Sequence, residues 1–154
     1  MTTFMKTFSV GSSPGGMFKL GDNLVSAKGA FNFVFQATDG NLVLSVFDDA
    51  SGGSDPIWQA GLSNPAALSP SALPVSQQPF CVMQGDGNFV YYVPDPKAAS
   101  GKVARWATGT NGNPGAFLRC QDDGNLVVVS LSGAPLWATN TYAGTANRPA
   151  AGKV

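Results

Sequence analysis

An all-β architecture built from three copies of one unit is predicted by three observations. The segment FQATDGNLVLS (Phe35 to Ser45) returns as MQGDGNFVYY (Met83 to Tyr92) and CQDDGNLVVV (Cys120 to Val129), each an Asp-Gly-Asn turn between apolar, strand-like runs. Each copy is followed by a tryptophan in similar company: Ile57-Trp58-Gln59-Ala60, Arg105-Trp106-Ala107-Thr108 and Leu136-Trp137-Ala138-Thr139. The composition supplies 19 Gly and 11 Pro but no Glu, so turn and strand formers outweigh good helix formers.

The first residues, Met1 to Gly11, contain no continuous apolar run with a small-residue cleavage site behind it. Classical secretion is therefore not expected, and the chain is placed in the cytoplasm or released by a non-classical route. No apolar run approaches the roughly 20 residues that span a bilayer, so membrane insertion is not expected either. The 154 residues suit one domain, 1–154, and nine basic residues balance nine acidic ones without a Lys/Arg cluster, which argues against nucleic acid as a partner. Cys81 and Cys120 sit in equivalent strands of different units and are expected to be buried free thiols rather than a bridge.

The repeat divides the chain into units of about 18–62, 63–110 and 111–142, followed by a small, polar tail over 143–154. The turn aspartates Asp39, Asp86 and Asp123 are 47 and 37 residues apart, the unequal spacing reflecting insertions. Unit one carries Asp48 to Pro56 and unit two Pro94 to Lys102, both polar and rich in Gly, Ser or Pro and so expected as surface loops, whereas unit three turns tightly at Ser132-Gly-Ala-Pro135. Each unit thus reads as strand, turn, strand, loop and Trp-bearing strand, with a further extended stretch before it. Three or four short strands cannot bury their own apolar face, so the three units must share a core.

Gln84, Asp86, Asn88, Val90 and Tyr92 occupy alternate positions about the second turn. On one straight strand Gln84 and Tyr92 would stand about 26 Å apart at roughly 3.3 Å per residue, too far to share a small ligand. A three-residue hairpin with Gly87 in a positive-φ conformation folds them together, and Gln84 is then expected opposite Val90 on one face, with Asp86 and Asn88 beside them. Phe89, Leu42 and Leu126, at the alternate positions, are expected to face the core and the tryptophans. A carboxylate, two amides, a phenol and an apolar wall suit a polyhydroxylated ring with one C–H face. Turn chemistry alone explains Asp-Gly-Asn, but it does not call for Gln84 or Tyr92.

Gln84 to Tyr92 resembles the sugar-binding motif of the bulb-type (monocot) mannose-binding lectins, and Trp106-Ala-Thr-Gly-Thr110 and Trp137-Ala-Thr-Asn-Thr141 resemble the repeat endings of that family. The likeness runs from about Phe18 to Tyr142. It implies a β-prism II fold, three four-stranded antiparallel sheets about a pseudo-threefold axis, with one pocket per sheet. It also implies that Asp86 and Asn88 hold the axial 2-hydroxyl of mannose, Gln84 the 3-hydroxyl and Tyr92 the 4-hydroxyl, while Val90 packs on the ring. In unit three Gln121, Asp123, Asn125 and Val127 keep the pattern, but Val129 replaces the tyrosine, so a weaker pocket is expected. Unit one keeps Asp39, Asn41 and Val43 but has Ala37 and Ser45 at the remaining positions; Gln36 lies one residue out of register, is expected to face away, and the pocket is expected to be vestigial. The family's usual cystine in the first unit has no counterpart.

Catalysis is disfavoured: without His there is no His-based triad, and without Glu a paired-carboxylate mechanism would have to use Asp alone. A calcium loop at Gln121 to Asn125 lacks the closing Glu of an EF-hand loop, and the pocket chemistry is complete without a metal or cofactor. The expected function is therefore a lectin for mannose or mannosylated glycans. Family members commonly exchange a C-terminal strand, so a homodimer through Trp137 to Tyr142 is expected. A lectin-like bacteriocin, or a partner-binding prism with largely vestigial sites, is the alternative on the same scaffold.

Overall fold

The structure is a computed structural model that describes residues 7–8, 16–48, 52–62 and 70–141. Twelve strands are assigned in these residues: β1 (Thr7–Phe8), β2 (Met17–Lys19), β3 (Asn23–Val25), β4 (Phe31–Phe35), β5 (Leu42–Asp48), β6 (Gly53–Gln59), β7 (Phe80–Met83), β8 (Phe89–Pro94), β9 (Lys102–Ala107), β10 (Phe117–Cys120), β11 (Leu126–Val129) and β12 (Pro135–Ala138). Two single 3-10 turns, Pro70–Ala72 and Val75–Gln77, precede β7. The strands form three four-stranded sheets, ordered β3-β4-β5-β6, β2-β7-β8-β9 and β1-β10-β11-β12, paired antiparallel. This is the β-prism II architecture.

The first sheet is contiguous in sequence, whereas the other two take their outer strands, β2 and β1, from the beginning of the chain. A further extended stretch directly before units two and three was the simpler expectation. Those short outer strands carry only two or three residues each, too few to leave an alternating pattern of their own. Unit one also differs from expectation between Asp48 and Pro56. Much of this segment is strand, with Phe47 opposite Ser54 and Val46 opposite Asp55, so the hairpin arm runs beyond the core. Ser54, Asp55 and Pro56 are exposed there, and Pro56 is tolerated because β6 is an edge strand.

Period-two alternation builds the core. Phe31, Phe33 and Phe35 of β4 are buried while Asn32 and Val34 between them are not fully so, and Leu42, Phe89 and Leu126 are buried at equivalent positions as expected. Phe18 stacks on Phe33 at 5.6 Å and meets Phe89 edge-on at 6.1 Å, joining two sheets. The tryptophans meet as a near-equilateral triangle, with ring centroids 5.9, 5.8 and 5.7 Å apart for Trp58–Trp106, Trp58–Trp137 and Trp106–Trp137. Cys81 and Cys120 are both free and buried, as the sequence led us to expect.

Each turn glycine is closely packed. Gly87 has φ +90°, and a Cβ there would fall 2.1 Å from the Asn113 carbonyl oxygen. At Gly124, with φ +94°, it would fall 2.8 Å from the Thr141 carbonyl and 3.0 Å from the Phe31 ring. The turns therefore dock on neighbouring chain segments, which fixes where their polar side chains stand.

Candidate functional site

The second unit folds into a three-residue loop: Gln84 N donates to Asn88 O at 2.9 Å and Gly87 N donates to Gln84 O at 2.9 Å. This confirms the expected loop length but corrects the pairing. Gln84 faces Asn88, and it is Val82 that stands opposite Val90. The shift is by two residues, so side-chain parity is kept and the five motif residues still share one face.

On that face the polar groups are joined before any ligand arrives. The Tyr92 hydroxyl donates to Gln84 Oε1, Gln84 Nε2 donates to Asp86 Oδ1 and Oδ2 at 3.2 and 3.3 Å, and Asp86 Oδ1 accepts the Asn88 backbone N–H at 3.0 Å. Tyr92 is further held by stacking on Phe80, centroids 5.7 Å apart, with Lys102 Nζ 4.6 Å from its ring. Val90, itself buried, supplies the apolar wall, and its cross-strand neighbour on β9 is the small Ala107.

Asn88 has two jobs. Its Oδ1 accepts from Gly109 N at 2.9 Å, Thr110 N at 3.2 Å and Thr108 Oγ1 at 3.3 Å, anchoring the chain that leaves β9. Thr108 and Thr110 bond each other at 2.8 Å, and Thr110 Oγ1 donates to Gly87 O at 2.6 Å, closing the network on the turn. Its Nδ2 has no protein partner among the described residues, so one donor remains for a ligand.

Unit three reproduces this arrangement. Asp123 Oδ1 accepts from Asn125 N at 2.9 Å, and Asn125 Oδ1 accepts from Asn140 N at 3.0 Å, Thr139 Oγ1 at 3.2 Å and Thr141 N at 3.4 Å. Asn140, at φ +60°, takes the left-handed position that Gly109 takes in unit two. Gln121 closes the loop through its backbone, with N donating to Asn125 O at 2.8 Å, and Val127 faces Ala138. Val129 is buried opposite Phe117, where unit two places Tyr92 opposite Phe80. The threonine anchors were not singled out from the sequence as part of the site, although the repeated Trp-Ala-Thr-x-Thr carries them.

Unit one departs in a different way from that expected. Gln36 N donates to Asn41 O at 2.8 Å and Gly40 N donates to Gln36 O at 2.9 Å, so the loop has four residues and Gln36 occupies the place of Gln84. The extra loop residue restores its register, correcting the expectation that it faces away. With its amide nitrogen turned toward the carboxylate, Gln36 donates to Asp39 at 3.1 and 3.2 Å. Asp39 Oδ1 in turn accepts Asn41 N at 2.9 Å. Asn41, however, is buried and spends its Nδ2 on Gln59 Oε1 at 2.7 Å, while its Oδ1 accepts Leu62 N at 2.9 Å. Val43 completes the floor of this unit opposite Gln59.

No protein-family model matches the chain, and no curated protein does. Solved structures do. The chain is similar to a lectin from Marasmius oreades, at 30% identity over 92% of this chain and 98% of that one with a TM-score of 0.62. It is similar to monomeric monocot mannose-binding lectins from Gastrodia elata, at 30% identity over 81% and 91% with a TM-score of 0.54. A lectin from Allium sativum aligns at 27% identity over 79% and 90%, with a TM-score of 0.50. Three sheets, three Asp-Gly-Asn turns and these relatives together place the chain in the bulb-type (monocot) mannose-binding lectin family.

Proposed function

We propose that the chain is a non-catalytic lectin whose principal pocket, formed by Gln84, Asp86, Asn88, Val90 and Tyr92, binds mannose or mannose-bearing glycans. The observation that carries this reading is the linked chain from Tyr92 through Gln84 to Asp86, beside the unclaimed Asn88 Nδ2 and above Val90. Preordered polar groups lower the entropic cost of fixing them on a ligand. The pocket presents acceptors and donors in the alternation that neighbouring sugar hydroxyls require, and the valine floor meets the C–H face. Unit three, with Gln121, Asp123, Asn125 and Val127, forms a second, weaker pocket. A sequence with no His and no Glu supports binding without chemistry.

If Asp86 and Asn88 hold the axial 2-hydroxyl, as the family resemblance implies, the C2 epimer glucose presents that oxygen in the wrong direction. Competition between methyl mannoside and methyl glucoside for the full chain tests this. Mannoside is expected to bind at least tenfold tighter, about 1.4 kcal/mol; equal affinity would refute the mannose reading.

A further inference from the structure

The other two units show what is unusual in unit one. The residue beside the valine floor on the Trp-bearing strand is Ala107 opposite Val90 and Ala138 opposite Val127, but Gln59 opposite Val43. The long amide thus stands beside Val43, where the other two units carry only a methyl group. Its Oε1 accepts from Asn41 Nδ2 at 2.7 Å, which is the donor left unclaimed on Asn88. An amide oxygen is chemically a fair substitute for a sugar hydroxyl as a hydrogen-bond acceptor. Asn41 is only 7% exposed, whereas Asn88 and Asn125 are half-buried.

The remainder of the pocket is in place behind that side chain. Gln36 and Asp39 are linked as Gln84 and Asp86 are, and Asp39 holds Asn41 N as Asp86 holds Asn88 N. At the far end, where the tyrosine is missing, Asn32 stands opposite Ser45. Its Oδ1 is buried without a hydrogen-bond partner among the described residues, an unpaired acceptor closed off from solvent at that end. We propose that unit one is a third sugar pocket, shut by its own Gln59, whose side-chain carbonyl occupies the place of a ligand hydroxyl. The closure sets how many sugars one chain takes, and it rests on the lectin reading of unit two.

The test uses the full chain and the side-chain amide signals of Asn41 and Asn88 in nitrogen-15 correlation spectra during titration with methyl mannoside. In the parent, the Asn88 signal is expected to move and the Asn41 signal to stay. In Gln59→Ala the Asn41 signal is expected to move saturably as well, and Gln59→Ala combined with Asp39→Ala is expected to abolish that movement. Gln59→Ser, which also withdraws the reaching carbonyl, carries the test if the alanine variant unfolds. A moving Asn88 signal with an unmoved Asn41 signal in the folded variants overturns this inference alone. An unmoved Asn88 signal in the parent overturns the lectin reading and this inference with it.

Discussion

The two thiols show how burial sets chemistry one residue at a time. Desolvation raises Cys81 well above the ordinary thiol range. Cys120 is pushed up to about 12, chiefly by burial, against a lowering by a backbone hydrogen bond at Ser26 and with a further raising by the carboxylates of Asp122 and Asp123. A folded-state value above the unfolded one means that the stabilisation is fully present below pH 9 and is lost as the pH climbs from 9 toward about 12. The unfolding free energy of the parent is therefore expected to fall more steeply than that of Cys120→Ala across this window; parallel curves would contradict the account. Buried thiols were legible from the sequence because an unpaired Cys is usually buried. Gln59 was not, because its partner Asn41 lies 18 residues away and meets it only through a register set by β5 and β6.

At the scale of the element, each hairpin is a turn, a pair of strands and an anchor. Asp-Gly-Asn fixed the position of all three turns, and the glycines at Gly87 and Gly124 are required by positive φ and close backbone contact. Loop length was less legible. Three residues in unit two and four in unit one differ by a single insertion before the same Asp-Gly, so Gln36 could not be assigned a facing from sequence alone. The strand β11 offers a direct test of what the pattern lacks. Val129 faces Phe117 as Tyr92 faces Phe80, so a tyrosine introduced at position 129 has an aromatic ring to stack on. Val129→Tyr is expected to add a neutral hydrogen bond of about 0.5 to 1.5 kcal/mol to the third pocket. Titration of this variant in an Asp86→Ala background reads the gain; affinity unchanged from that background would show that the tyrosine is not what the pocket lacks.

For the whole molecule, the threefold repeat was legible because three weak signals coincide in register, and the tryptophan triangle is their meeting point. The donation of β1 and β2 to distant sheets was not, since two or three residues carry no period. The proposed pair of pockets, one full and one weaker, would give low affinity for a single sugar, and joining sites can raise avidity by roughly 10² to 10⁴. A homodimer is accordingly proposed, with Trp137 to Tyr142 as its contact. In the single chain, β12 pairs with its own β11, and Tyr142 and the 143–154 tail lie outside the described residues. Light scattering is expected to give twice the chain mass, and a concentration-independent monomer would refute the dimer. The most direct test of the central claim is calorimetric titration of methyl mannoside into the parent and Asp86→Ala. A monosaccharide site of about millimolar affinity holds only about 4 kcal/mol, and each charge-assisted hydrogen bond lost with the carboxylate removes roughly 1.5 to 3 kcal/mol. Methyl mannoside is expected to bind the parent measurably and to lose the second pocket in the folded variant; an unchanged titration curve would refute the proposed pocket.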